Sequence, residues 1–331
     1  MKLTLACLDP GALAAARSVE LERFMQTLQP SVMIVHGYEG AKAVDAALLN
    51  TGANQLLSQI WTSLLELATQ TPASAIGKHA LLEAARTDDP DLWAYTLFTS
   101  GTSSGKPKGC PRHVTSMVHV IESHPWDFLS IKGKPPRFLL PTPNFWIIAP
   151  SFSFATWKGV GAIVMPPPAL AGPNISGFLD AIVRHEVMSL LLIPVLLHLL
   201  VMDPTFSHRK MDSLGVVVIG AGIVTKSINA KACRAFSHGR ICCAHGMTKM
   251  GGVIIWPLHH TPTDEIRCFG DIRPLGMPAS GVRLRICEPG SDAVTKCGEP
   301  GEISFNAEAT AKHYLDRVNE QSFFLDDSGR R

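Results

Sequence analysis

The sequence predicts an α/β fold of mostly parallel sheets flanked by helices, with a smaller β-rich segment near the C-terminus. Three observations predict it. Short runs rich in Val, Ile and Leu alternate with stretches of helical apolar spacing, the pattern of strand–helix–strand units. The 331 residues are 46% hydrophobic and 18% charged, a globular balance on a chain long enough to bury a sizeable core. Beyond about Pro262 the runs become shorter and turn residues more frequent.

The elements follow in order. Leu21, Phe24, Met25 and Leu28 fall at helical spacing within Glu20–Leu28, and Ser31–His36 then reads as a strand. Leu57, Ile60, Leu64 and Leu65 predict a helix over 56–68, and Trp93–Phe98 a strand that runs into a Gly/Ser/Thr loop. Further strands are expected at Arg137–Leu140, Gly161–Met165, Leu214–Ile219, Gly252–Trp256, Val282–Ile286 and Glu302–Phe305, with helices at Ile175–Arg184 and Lys226–Phe236. Pro135-Pro136 and Pro166-Pro167-Pro168 punctuate turns, and no repeat of solenoid period is visible. The expected division is an α/β core over 1–261 and a β-rich subdomain over 262–331.

Several function classes are disfavoured. The net charge is only +2, whereas a phosphate-backbone binder carries a basic excess, so no nucleic-acid partner is expected. Eight cysteines are too sparse for a disulfide scaffold and show no C-x-x-C spacing. They read as reduced and mostly buried, which points to the cytoplasm. The apolar start breaks at Asp9-Pro10, short of a secretory signal. Val187–Met202 is apolar, but it is 16 residues against the roughly 20 needed to span a bilayer. Pro194 and His198 interrupt it, so it predicts a buried strand at Ser189–Ile193 and a short core helix, not a membrane span. The histidines, among them His185, His198, His208, His238 and the pair His259-His260, lack metal-site spacing and are expected on the surface or in the core. No protein metal site is expected.

The most informative segment is Thr99–Gly109, TSGTSSGKPKG, directly after the apolar run Tyr95–Phe98. It holds three glycines, five Ser/Thr and two lysines in eleven residues. Glycine permits close backbone approach, hydroxyls and successive N–H groups wrap phosphate oxygens, and lysines add charge. It is not the P-loop of NTPases. Three residues separate Gly101 from Gly105 where four are needed, and Pro107 follows Lys106 where that loop has Ser or Thr.

The segment resembles the phosphate loop of the adenylate-forming superfamily, TSGTTGKPKG: acyl- and aryl-CoA ligases, luciferases and the adenylation domains of peptide synthetases. The resemblance implies that Thr99, Ser100, Gly101, Thr102, Ser103, Ser104, Gly105, Lys106, Lys108 and Gly109 hold the phosphates of ATP. Further segments follow in the family's order. Gly220-Ala221-Gly222 resembles the glycine turn beside the acyl group and adenine. Ala244-His245-Gly246-Met247-Thr248 resembles the YGMTE segment that holds adenine, with Thr248 in the catalytic site. Leu275–Pro278 with Gly281 resembles the "GxPxxG" turn, and Gly298–Arg317 the "GE(L/I)" strand followed by "GYL". The resemblance extends from about Leu8 to the end of the sequence.

Three departures bear on function. Lys249 stands where the family has an acid that helps hold Mg²⁺. An ammonium cannot ligate Mg²⁺, so this lysine is expected to meet phosphate directly. His245 replaces the usual adenine-stacking Tyr. The sequence ends at Arg331, before the family's ribose-binding Asp and its C-terminal lid with a catalytic lysine, so a core lacking the lid is expected. Trp146 is placed in the acyl pocket. The segment Pro143–Ile148 offers no carboxylate to meet an ammonium, and a buried ammonium without one is costly. An aryl, keto, hydroxy or fatty acid is therefore expected over an α-amino acid. The resemblance implies activation of that acid as acyl-AMP and transfer to coenzyme A or a phosphopantetheinyl carrier protein. The alternative is a non-catalytic nucleotide- or acyl-binding module.

Overall fold

The computed structural model of the chain describes residues 5–7, 18–30, 32–35, 37–51, 57–60, 80, 83, 86, 89, 91–99, 107–123, 133–166, 174–255, 268–315 and 323. The chain divides into two compact units, Met1–Pro111 with His313–Asn319, and Arg112–Lys312 with Glu320–Arg331.

In the first unit, β1 (Leu5–Cys7) pairs in parallel with β4 (Trp93–Thr99), and β5 (Lys108–His113), which runs on past Pro111, completes a three-stranded sheet in the order β1-β4-β5. Helix α1 (Ser18–Leu28) buries Leu21 and Met25 against Val44 and Ala47 of α2 (Gly37–Thr51). Strand β2 (Val32–Val35) pairs in parallel with β3 (Leu57–Ile60). The helix expected over 56–68 is thus a strand over its first part, while 61–68 lie outside the described residues. Leu57 and Ile60 satisfy a helical stripe on paper, but the β2 edge offers this segment a parallel ladder, and tertiary pairing overrides local spacing.

The second unit is built on a seven-stranded mixed sheet. Its elements are α3 (Val114–Ser123), β6 (Arg137–Leu139), α4 (Ile148–Lys158), β7 (Ala162–Val164), α5 (Ile175–Arg184), β8 (Ser189–Leu192), α6 (Pro194–Met202), β9 (Val216–Gly220), α7 (Lys226–Ala235), β10 (Arg240–Met247), β11 (Gly251–Ile255) and β12 (Met277–Pro278). The strand order is β12-β11-β10-β9-β8-β6-β7. From β7 to β10 all pairs are parallel, and β11 and β12 are antiparallel additions. A separate antiparallel hairpin, β13 (Arg283–Cys287) with β14 (Glu302–Asn306), forms the β-rich segment near the C-terminus.

The pleat explains the core. Leu190, Leu192, Val217 and Ile219 face one side and pack with Leu179 and Ile182 of α5 and Leu197 and Leu200 of α6. Leu191, Val216 and Val218 face the other and pack with Phe138 and Phe152. Both faces are covered, as parallel sheets require. Each buried aliphatic side chain contributes about 1.5–3 kcal/mol by transfer.

The apolar run at 187–202 resolves into β8 and the nine-residue α6. Pro194 occupies the first turn of α6, where its missing N–H has no intrahelical acceptor to lose. Among the described residues no helix is long and apolar enough to cross a membrane. Asn174 caps α5 by accepting from the Gly177 N–H at 2.8 Å, and Thr225 caps α7 by accepting from the Ile228 N–H at 3.2 Å. Cys242 and Cys243 are buried in β10. His185, His198, His208 and His238 are exposed. Trp157 is 55% exposed, edge-on to Phe154.

Candidate functional site

In the first unit, the Gly/Ser/Thr segment joins two neighbouring strands of the three-stranded sheet. Thr99 is the last residue of β4 and Lys108 the first of β5. Ser100, Gly101, Thr102, Ser103, Ser104, Gly105 and Lys106 lie outside the described residues. Lys108 is buried, and its Nζ lies 5.5 Å from the ring centroid of Tyr314, a cation–π geometry. Gly109 has no room for a side chain: a Cβ there would stand 2.5 Å from Leu315 Cδ1 and 3.2 Å from Phe98. Its carbonyl accepts the Leu315 N–H at 2.8 Å. The start of β5 is thus pinned under the segment 314–315.

In the second unit, the other motif residues gather at the carboxyl ends of β9 and β10, the edge at which open α/β sheets hold their ligands. Gly220 closes β9 and pairs with Ala244 of β10. A Cβ on Gly220 would meet the Ala244 carbonyl oxygen at 2.9 Å, and one on Gly222 would meet Pro194 at 3.0 Å. Between them Ala221 is exposed and takes a left-handed φ of 57°. The tight turn therefore lies against the next strand, and His245 follows directly on the residue it touches. His245 is half-buried, and burial lowers its pKa from the ordinary value of 6.5. The imidazole is neutral near pH 7, an apolar-faced ring for stacking. Trp146 is half-buried in the turn leading into α4, its backbone N–H donating to the Pro143 carbonyl at 3.0 Å.

The register of β10 on β11 shifts between His245 and Gly246. This bulge re-aims the chain into the turn Thr248–Lys249–Met250. The turn is closed by glycines at both ends. A Cβ on Gly246 would lie 2.5 Å from the Gly251 carbonyl oxygen, and Gly251 has φ 84° with Val120 of α3 against it. Met247 packs beside Met250 and Ile254. The Lys249 carbonyl accepts from the Ala311 N–H at 2.7 Å and from Arg112 Nη1 at 2.5 Å, and Arg112 Nη1 also reaches the Thr248 carbonyl at 3.4 Å. Lys249 Nζ lies 5.7 Å from the ring centroid of Phe323.

Arg112 is the residue that sequence reasoning missed. It is 0% exposed. It sits three positions beyond the segment that carried the motif, and its contact at 249 lies 137 residues away, so no local spacing announces it. The "GxPxxG" turn also has a physical basis: Gly276 and Gly281 have φ of 128° and 76°, and a Cβ on Gly281 would strike the His119 ring at 2.7 Å.

No group of three or more His, Cys, Asp or Glu side chains that could hold a metal occurs among the described residues. The turn at 248–249 presents a hydroxyl and an ammonium. That donor set does not fit a divalent cation, and no chemical step is derived through a protein-held metal.

The profile of a family described as AMP-binding enzyme matches residues 4–315. An acyl-CoA ligase of Pestalotiopsis microspora is 30% identical over 98% of this chain and 56% of its own length. A 4-coumarate–CoA ligase of Arabidopsis thaliana is 24% identical over 70% of this chain and 40% of its own length. The chain thus spans about half the length of the curated relatives it matches. The ATP-bound structure of MatB from Rhodopseudomonas palustris superposes with a TM-score of 0.74 at 16% identity, over 100% of this chain and 65% of that one.

Proposed function

Because this chain belongs to the AMP-binding enzyme family, we propose that it carries the nucleotide- and acyl-holding core of a ligase that activates a carboxylic acid with ATP. The observation that carries this is the segment Thr99–Gly109, whose sequence links the end of β4 to the start of β5, in a chain whose similarity to an acyl-CoA ligase runs through 98% of its residues. Ser100–Lys106 cradle the phosphates, with Thr99 and Gly109 closing the cradle and Lys106 and Lys108 lending charge. Gly220–Gly222, His245, Gly246 and Met247 hold adenine and the acyl group, Trp146 lines the acyl side, and Thr248 and Lys249 face the phosphates.

In the reaction a carboxylate oxygen of the acid attacks the α-phosphorus of ATP. The bond to the bridging oxygen breaks, pyrophosphate leaves, and acyl-AMP remains. A thiolate of coenzyme A or a carrier pantetheine then attacks the acyl carbon and AMP departs. The chain's part is to hold the reactants in line and to offset charge at the phosphates. The acid is of the aryl, keto, hydroxy or fatty class, since 143–148 place no carboxylate to meet an ammonium.

A second function is favoured by one observation, the ammonium of Lys249 at the turn: a module that binds nucleotide or acyl ligand without turning it over. One experiment separates the two. Exchange of labelled pyrophosphate into ATP is measured across a panel of aryl, hydroxy, keto and fatty acids, with ATP binding followed by calorimetry. Acid-dependent exchange that Gly105→Val abolishes supports the ligase. Binding without exchange by any acid supports the module. Neither binding nor exchange overturns both.

A further inference from the structure

We propose that Arg112 is a positioning residue for the turn Thr248–Lys249, and that its buried charge makes this turn a seat for a polyphosphate group. The proposal rests on the nucleotide site described above and assigns to it a residue that no motif contains. Arg112 lies in β5, wholly buried, and spends Nη1 on two successive carbonyls, those of Thr248 and Lys249. Nε and Nη2 are buried and donate to no protein atom among the described residues, and no carboxylate pairs with the guanidinium there.

A buried cation without a counter-charge is costly to the fold. Two carbonyl dipoles offset only part of it, because each carries a fraction of a charge. The residual positive field of Arg112 falls on the turn whose carbonyls it holds. Little solvent stands between Arg112 and the carbonyls it holds, so the field is screened less than that of a surface arginine. An anion at this turn compensates the buried guanidinium, and a neutral ligand does not. The hydrogen-bond role is separate from the charge. With the Ala311 N–H on the same oxygen and glycines closing both ends, Nη1 of Arg112 fixes the plane of the 249 peptide, and hence where Thr248 Oγ1 and the Lys249 stem leave the backbone. Lysine at 112 would keep the charge and lose the rigid planar group that aims Nη1 at both carbonyls; methionine would lose both.

The test compares wild type, Arg112→Lys and Arg112→Met by calorimetry with ATP and with adenosine, alongside thermal melting and amide exchange of the peptide covering 246–251. In Arg112→Met, ATP affinity is expected to fall at least tenfold and adenosine affinity less than threefold. In Arg112→Lys, ATP affinity is expected to fall less than in Arg112→Met, while the turn amides exchange faster than in wild type. Equal losses for ATP and adenosine would show a purely structural role and overturn the proposal, as would a folded Arg112→Met with unchanged ATP affinity. Should Arg112→Met not fold, Arg112→Lys decides: unchanged turn exchange and unchanged ATP affinity overturn the proposal, and faster exchange with weaker ATP binding supports it. Wild type that binds no ATP defeats the functional reading and the phosphate half of this proposal together. The turn-holding half then stands or falls on amide exchange alone.

Discussion

Lys249 is anchored through its main chain: two donors converge on its carbonyl oxygen, while its ammonium lies over Phe323. A side-chain exchange there leaves the turn's backbone bonds in place, which makes Lys249→Glu a clean test of charge. With a carboxylate at 249, ATP binding should strengthen with Mg²⁺ and weaken with a chelator, by more than about tenfold between the two conditions. That exceeds the ~0–1 kcal/mol of an exposed ion pair. Equal metal dependence in both variants would remove residue 249 from the phosphates. His245 supplies a second prediction. Burial lowers its folded pKa below the ordinary 6.5. The unfolded chain therefore takes up the proton first as pH falls, and the neutral-imidazole contribution to stability, complete above about pH 6.5, is lost below it. Thermal melting of wild type should decline more steeply from pH 7 to pH 5 than that of His245→Phe. Parallel pH profiles would contradict the assignment.

At the scale of elements, the bulge in β10 depends on an absent side chain. Gly246→Ala would press a methyl group onto the Gly251 carbonyl, and overpacking of this kind costs about 1–3 kcal/mol. A denaturant midpoint equal to wild type would show that the turn yields. Leu190→Ala empties a wholly buried position of β8 and should cost about 2–5 kcal/mol; a smaller loss in chemical unfolding would mean that α5 and α6 collapse into the space. These elements were legible because strands such as β8 and β9 are short apolar runs with turns on both sides, and α5 carries a regular stripe. Others were not. α2 begins with Gly37 and contains Gly40 and four alanines, so it shows no strong stripe. α4 alternates Ser151-Phe152-Ser153-Phe154, a period of two that masks its helix. β3 is a strand because β2 lies beside it, a fact outside its own residues. The motif ends Thr99 and Lys108 were readable from composition, whereas Arg112 acts across 137 residues and is visible only once the chain is folded.

For the whole molecule, chemistry follows depth in the fold. Burial raises the Cys242 thiol to about 12 and the Cys243 thiol to about 11, so neither supplies thiolate near neutral pH. Cys297 is exposed. A thiol-specific reagent should modify Cys297 in the native protein and reach Cys242 and Cys243 only on unfolding; early labelling of the adjacent pair would contradict the packing of β10. The seven-stranded sheet also has margins, and β12 forms one of them with two residues, an exposed Met277 and Pro278. Proline has no N–H to donate, and edge strands that are short and proline-bearing give an incoming strand little to grip. Among the described residues, this rim therefore offers an incoming strand few donors. Replacing Pro278 with threonine restores a donor on the open rim. Concentrated solutions of that variant should scatter more light on gentle warming than wild type, well below the unfolding temperature, and equal turbidity would mean that the rim is already shielded by other means.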